Sequence, residues 1–492
     1  MTVLKILLIT INSNTIVPPL GQYLISAYYY KTYPTRDIDI KVKYFENYQH
    51  FRIMKLIASE KPDLIGLGCY VWNIGSMKSL CKEIKGIYPS VKIVLGGPSI
   101  SYTDEELLKM VKTDMADYLI VGEGERAFAE LINNLFDKTF DMISEISGII
   151  GKNTSGGIFS NIRTNDYLIE IDDLPNPYED NPKLVEETRK FGFASLETAR
   201  GCPFRCAYCI TGQSAFQPSL KQRAIRNIIS DITYLRDIGL NKIIILDPTF
   251  NFDISRSMEI LKEIIALKSD FNFMCEIKVE LLNDEIISLM REAGFTSIEI
   301  GLQTSNLETL KRINRYHDRE KFIQNIDKLK VTNMFMVVDL IIGLPEETLD
   351  DFCSSLDFCY NLGDIKITCG MLKLYPNTSL YNNREKYKYE YDSQRMNRVV
   401  KSSTMTKEEI DFAESMINPI SVFWSHSECD EYLRSYVRTL CEKYYKNVFS
   451  DFIKEITVFL RENGVLEEVT LKLPVDKRKL VLDRFFENKI GK

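Results

Sequence analysis

No stretch of this 492-residue chain offers the roughly 18 apolar residues that a helix needs to cross a bilayer. The apolar start, Val3–Ile11, is short, is split by Lys5 and lacks a small-residue cleavage site, so no export signal is expected. An excess of basic charge is missing too: 62 Lys and Arg stand against 69 Asp and Glu, a formal net charge of −7. That balance disfavours a nucleic-acid partner and leaves lipid, peptide or small-molecule substrates. Histidine is scarce, with His50, His317 and His426 alone, and these read as ordinary surface or core residues. Two nucleotide signatures are absent: the loop Asn12–Gly21 after the first strand has no Gly-x-Gly-x-x-Gly, and the chain has no P-loop. What is present excludes wholesale disorder, since 45% of residues are hydrophobic and 11% aromatic. At about 150 residues per domain the length allows two to four domains. A cytoplasmic enzyme is expected.

Eleven cysteines, an odd number in a large chain without an export signal, argue against a disulfide framework. Eight of them (Cys69, Cys81, Cys275, Cys353, Cys359, Cys369, Cys429 and Cys441) are scattered in mostly apolar contexts and are expected to be small buried hydrophobes. The other three are clustered.

The alternation of apolar runs and amphipathic stretches divides the chain. Over residues 1–140 the expected strands are Lys5–Thr10, Ile40–Phe45, Asp63–Gly68, Val91–Leu95 and Tyr118–Val121. Helical patterns separate them, which predicts an open, doubly wound, Rossmann-like α/β domain. Ligands of such a sheet bind beyond the carboxyl ends of its strands. Residues 141–190, rich in Gly, Asn, Asp and Pro, read as a linker with a small hairpin. Over residues 191–380 strands are expected at Phe193–Thr198, Lys242–Leu246, Asn272–Lys278, Ser297–Gly301, Met334–Ile342 and Ile365–Leu374. Six βα units suit a partial or full TIM-type α/β barrel. Residues 381–492 are charged, Tyr- and Lys-rich and mostly helical in pattern, and Met405–Met416 reads as an amphipathic helix with a core-facing side.

Directly after the first strand of the second α/β region comes Arg200–Gly212, with Cys202, Cys206 and Cys209 spaced CxxxCxxC. Three thiolates on one tight loop can cap three irons of a [4Fe-4S] cubane, since soft sulfur ligands suit iron–sulfur centres. The fourth iron is then open to another molecule. A structural zinc site would want four protein ligands, and no second cysteine pair or nearby histidine exists here.

This loop, with Tyr208 before its last cysteine, resembles the cluster-binding loop of the radical S-adenosylmethionine (radical SAM) superfamily. Other strand ends match in order: Leu246–Asn251, Glu276 with Lys278, Ile300–Thr304, and Asp339–Glu346. The family's usual Gly-Gly-Glu is replaced by Leu246-Asp-Pro-Thr-Phe-Asn251. The resemblance implies that SAM binds the open iron and yields a 5′-deoxyadenosyl radical on one-electron reduction, the cofactor carrying the hard chemistry. It implies SAM contacts from Tyr208, Asp247, Glu276, Gln303 and Gly343, and an external flavodoxin- or ferredoxin-like electron donor.

In company with that barrel, the first domain resembles the cobalamin-binding domain of cobalamin-dependent radical SAM enzymes. Pro18-Pro-Leu-Gly21, Gly96-Gly-Pro-Ser-Ile100 and Gly122-Glu-Gly-Glu125 carry this resemblance, which runs from residue 1 to about residue 380. The glycines let backbone approach a bulky ligand. Implied cobalamin contacts are Gly96, Gly97, Gly122 and Glu123. None of the three histidines sits in Asp-x-His-x-x-Gly, so the resemblance implies a lower cobalt face toward loop residues such as Tyr70, Val71 and Trp72. The implied activity is methyl transfer from methylcobalamin to a substrate carbon radical. Radical cyclisation, ring contraction or oxidation on the same cofactors is the alternative.

Overall fold

A computed structural model describes residues 3–12, 17–101, 104–153, 155–162, 169–213, 220–425, 431–470 and 472–490. The chain forms two compact units: Met1–Ser195 with Gln222–Leu240, and Leu196–Lys221 with Asn241–Lys492.

The first unit holds a seven-stranded sheet in the order β2-β1-β3-β4-β5-β6-β7. β1 (Leu4–Asn12), β2 (Ile38–Glu46), β3 (Leu64–Gly68), β4 (Lys92–Gly96) and β5 (Tyr118–Ile120) are parallel. Ile6–Ile9 is an unbroken apolar run almost without exposure, as a parallel strand covered on both faces requires. The helices α1 (Leu20–Thr32), α2 (His50–Glu60), α3 (Ile74–Ile87), α4 (Glu105–Lys112) and α5 (Gly124–Asp137) connect and follow the parallel strands. The order reverses between β1 and β3, the switch point where such sheets take ligands. The hairpin expected in the linker exists and extends the sheet: β6 (Ile149–Lys152) and β7 (Ile158–Ser160) add antiparallel to β5. Helix Ile225–Asp237 joins this unit because Asp172 and Tyr178 of the linker grip it. Asp172 accepts from Ala224 N and Asn227 Nδ2, and Tyr234 Oη donates to the Tyr178 carbonyl.

The second unit carries a six-stranded sheet whose strands lie side by side in chain order: Ala194–Leu196, Lys242–Ile245, Asn272–Ile277, Phe295–Gln303, Phe335–Ile342 and Lys366–Met371. The second to sixth strands pair in parallel, which makes the partial barrel. The tail supplies a hairpin, Glu390–Asp392 with Arg398–Lys401, and helices Lys407–Ile420, Glu431–Tyr445, Phe449–Glu462 and Val475–Ile490. Met405, Ile410, Ala413 and Met416 are buried, so the amphipathic stretch faces the core.

The tail also covers the outer edge of the sixth strand, whose N–H and C=O groups would otherwise be unpaired. Ser421–Ser425 forms a π-helical turn. From it Trp424 Nε1 donates to the Ile365 carbonyl, and Ser425 Oγ exchanges hydrogen bonds with both Ile367 N and O. Trp424, fully buried, packs with Tyr360 and Phe449. Among the described residues no helix is long and apolar enough to cross a membrane. Of the scattered cysteines, Cys69, Cys81, Cys275, Cys353, Cys359 and Cys441 are buried as expected and Cys369 is half-buried. Cys429 and His426 lie outside the described residues.

Candidate active site

The three thiols occupy one loop that the surrounding backbone pins at several points. Gly212 leaves no room for a side chain, because a Cβ there would collide with the Phe204 carbonyl, and Arg205 donates to the Gly212 carbonyl. Cys209 N closes a turn on the Cys206 carbonyl at 3.1 Å. Cys206 is buried; Cys202 and Cys209 are half-buried. Burial pushes the Cys202 thiol up, and Thr249 Oγ1 lies 4.0 Å from its sulfur.

A second segment, Ile313–His317, runs against this loop like a strap. Ala207 N donates to the Ile313 carbonyl at 2.7 Å, Asn314 Nδ2 to the Arg205 carbonyl at 2.9 Å, and Arg315 Nη1 to Cys206 Sγ at 3.6 Å. Arg315 Nη2 donates to the Gly301 carbonyl, and a side chain at Gly301 would strike both Gln303 Nε2 and Arg315 Nη2. The register between the fourth and fifth strands shifts there, and Gln303 takes a left-handed φ of 73°. Fold and loop thus bring Cys206, Tyr208, Gln303 and Arg315 together. Burial raises the Tyr208 phenol above its ordinary range, with the Arg315 charge opposing.

The remaining expected SAM contacts are placed differently. Asp247 is 1% exposed, and its carboxylate accepts from Thr198 N at 2.8 Å, Ala199 N at 3.1 Å and Thr198 Oγ1. Burial pushes it up to about 6 against those hydrogen bonds. It fixes the backbone that leads into Cys202. Gly343 has φ 88°; its carbonyl accepts from Tyr389 Oη, and a Cβ there would press on Ile410 and Val399 of the tail. Glu276 alternates with the buried Cys275 and Ile277 along its strand and is itself exposed to solvent. Partial desolvation and the neighbouring Glu299 push it up to about 7. Asp339, hydrogen-bonded to Thr368, is pushed up to about 8 by burial and by Glu299.

In the first unit the expected cobalamin contacts stand at and beyond the carboxyl ends of β3, β4 and β5. Tyr70 and Trp72 stack with ring centroids 4.6 Å apart and planes 8° apart. Trp72 is 42% exposed yet anchored, its Nε1 donating to the Ile11 carbonyl at 2.9 Å. Asn73 bridges β1 and β3 by donating to the Ile11 and Gly68 carbonyls. Gly97, at φ 110°, lets β4 approach the backbone of Cys69, which a Cβ would strike at 2.6 Å. Gly122 also has positive φ, 84°. Glu123 is buried and accepts from Ile169 N, so its carboxylate holds the following segment. His50 pairs with Glu83 at 2.7 Å.

Arg315 and Asn73 escaped sequence reasoning. Asn314-Arg315 lies in a loop eleven residues beyond Thr304, where no periodicity marks it; only its nearness to the cysteine loop gives it meaning.

Three thiols on separate positions of one loop, with the half-buried Arg315 guanidinium beside them, fit an anionic cluster that takes one thiolate per iron. Among the described residues no group of three or more His, Cys, Asp or Glu gathers as it would around a single ion. The exposed ring of Trp72, stacked flat on the half-buried Tyr70 beside glycine turns, fits a large planar ligand.

Comparison with known proteins agrees with both halves. Residues 196–359 match the Radical SAM superfamily model, and residues 6–132 match the B12 binding domain model. The chain is a radical SAM enzyme whose N-terminal domain is a B12-binding domain. Its cofactors are accordingly a [4Fe-4S] cluster, SAM and cobalamin. More particularly, several of its relatives are named methyltransferases, and one is named an anaerobic magnesium-protoporphyrin IX monomethyl ester cyclase. It is 24% identical to the uncharacterized methyltransferase PH0819 of Pyrococcus horikoshii, over 77% of this chain and 83% of that protein. It is 26% identical to the cobalamin-dependent radical SAM methyltransferase TokK of Streptomyces tokunonensis, over 59% of this chain but only 44% of that protein. In fold it resembles the cobalamin-dependent SAM radical enzyme OxsB, with a TM-score of 0.68 at 15% identity, covering 99% of this chain and 80% of that one.

Proposed function

We propose that the chain is a cobalamin-dependent radical SAM methyltransferase acting on a small-molecule, lipid or peptide substrate in the cytoplasm. The observation that carries the reading is the strapped three-cysteine loop in a chain that also folds a B12-binding domain. When bound, the cluster and SAM supply one-electron hydrogen abstraction, and cobalamin supplies methyl transfer. The protein's part is placement. Cys202, Cys206 and Cys209 would hold the cluster; Arg315, Tyr208, Gln303 and Glu276 frame the space beside it for SAM. Asp247 and Gly343 act one step back, the first by fixing the lead-in to Cys202 and the second by seating the tail. In the first unit Tyr70 and Trp72 would face the corrin ring, while Gly96, Gly97 and Gly122 shape the turns around it and Glu123 holds the segment behind them. An external flavodoxin- or ferredoxin-like donor would supply the electron.

Anaerobic reconstitution with iron, sulfide and hydroxocobalamin tests the cofactors. Product analysis with SAM and a reductant then tests the reaction. Methyl transfer consumes SAM in two ways, so S-adenosylhomocysteine should accumulate together with 5′-deoxyadenosine. Formation of 5′-deoxyadenosine alone would sink the methyltransferase reading in favour of radical cyclisation or oxidation.

A further inference from the structure

Behind the strap lies a second set of charges that the cysteine loop itself does not use. Lys278, Glu280 and His317 have side chains only 4%, 4% and 5% exposed. Lys278 Nζ lies 3.1 Å from Glu280 Oε1 and donates to the Tyr316 carbonyl at 2.7 Å. The same Glu280 oxygen is 3.0 Å from His317 Nδ1. Lys278 also sits over the rings of Phe204 and Tyr316, at 5.6 and 5.8 Å. Phe204 belongs to the cysteine loop between Cys202 and Cys206, and Tyr316 follows Arg315 in the strap. One carboxylate therefore holds a lysine and a histidine, and the lysine reaches both the loop and the strap.

Burying such groups is costly, and apolar residues of similar size would often pack there without loss of stability. Burial tends to raise the Glu280 carboxyl, but the His317 hydrogen bond and the Lys278 charge outweigh it and hold it below its ordinary value. Lys278 and Arg315 thus place two cationic side chains on one side of the loop, with Glu280 as their counter-charge. A cluster on three thiolates is anionic and gains a further negative charge on reduction, and nearby charge and hydrogen bonding set its potential. Out of water, these charges are weakly screened.

We propose that Lys278 and Glu280, steadied by His317, set the reduction potential of the cluster, Lys278 as a positioning residue that raises it and Glu280 as the counter-charge that limits the rise. Lys278 acts by its own field and by holding the strap that lays Arg315 on Cys206. The inference rests on Cys202, Cys206 and Cys209 being the cluster ligands.

The test is a mediated dithionite titration of the reconstituted full-length chain, followed by electron paramagnetic resonance, with iron counted in every sample. Lys278→Met should lower the midpoint by a tenfold change in the one-electron equilibrium, about 59 mV. Glu280→Gln should raise it, Lys278→Arg should keep it, and the double variant Lys278→Met/Glu280→Gln should return toward the parent. A merely structural role predicts shifts of one sign or none, and either result at full iron content overturns the proposal. If Lys278→Met fails to hold iron, Glu280→Gln decides alone, and an unchanged or lowered midpoint there overturns it. Absence of iron from the parent protein would instead sink the ligand assignment.

Discussion

Both units present the carboxyl ends of parallel strands, yet they use those ends differently. In the first, side chains at the strand ends serve backbone: Asn73 ties β1 to β3, Glu123 holds Ile169, and Gly97 removes a side chain altogether. What remains exposed is Trp72, stacked flat on the half-buried Tyr70. In the second, the strand ends collect the buried charges Asp247, Lys278, Glu280 and Glu347, and the strap adds the half-buried Arg315. A site built for a preformed macrocycle needs shape and an apolar face. A site that assembles an anionic cluster and changes its charge needs fixed countercharges, and it accepts their desolvation.

The sharpest break between the two is complete loss of one cofactor. Replacing Cys202, Cys206 and Cys209 together by Ala should abolish iron binding while cobalamin stays near one per chain, read from metal analysis and the corrinoid spectrum. Loss of both would show that the first site depends on the second.

The sheet edges offer the next contrast. The first sheet is extended by the antiparallel strands β6 and β7, whereas the sixth barrel strand relies on Trp424 and Ser425. Trp424→Ala removes a fully buried side chain and should cost about 3–5 kcal/mol, measured by denaturant unfolding. A cost below about 1 kcal/mol, the ordinary worth of one hydrogen bond, would mean that the edge is held elsewhere.

Charge burial also predicts a pH dependence that belongs to the second unit. Glu347 is fully buried, accepts from Thr304 Oγ1, and is pushed up to about 8 by burial. Asp339 is likewise up at about 8 and Glu276 at about 7. In each the folded chain holds its proton more tightly than the unfolded chain. The resulting stability is full below the ordinary carboxyl range and is lost as pH rises toward 8. Glu347→Gln should therefore flatten the fall in Tm between pH 5 and 8, gaining about 1–3 kcal/mol at the alkaline end. An unchanged slope would show that Glu347 titrates normally.

The smallest effect on stability should come from the first site. Trp72→Ala removes a half-exposed ring and one hydrogen bond, about 1 kcal/mol of folding energy, but should weaken cobalamin binding severalfold in a spectroscopic titration. Unaltered affinity would take Trp72 out of that site.

Much of this was legible in the residues. All eleven expected strands of the two sheets begin within two residues of their expected positions, and helix Glu105–Lys112 has its expected bounds, because long apolar runs bounded by Gly, Asn and Asp leave little choice. The cysteine loop was legible because its spacing is itself the chemistry. The roles of Asp247, Glu123 and Gly343 were not: each stands at an expected strand end, but which atom a side chain meets depends on residues tens of positions away. His317, expected as an ordinary surface or core histidine, has a buried side chain, yet its partner Glu280 lies 37 positions distant.

Local pattern thus determined the element order, the two α/β regions and the three thiols, since periodicity and short-range spacing are properties of neighbouring residues. Only the tertiary structure decided that the strap lays Arg315 on Cys206, that Lys278 is shared between loop and strap, and that Trp424 covers the sixth strand's edge. Those outcomes depend on which distant backbone and side-chain groups meet out of water, where every buried polar group must find its partner.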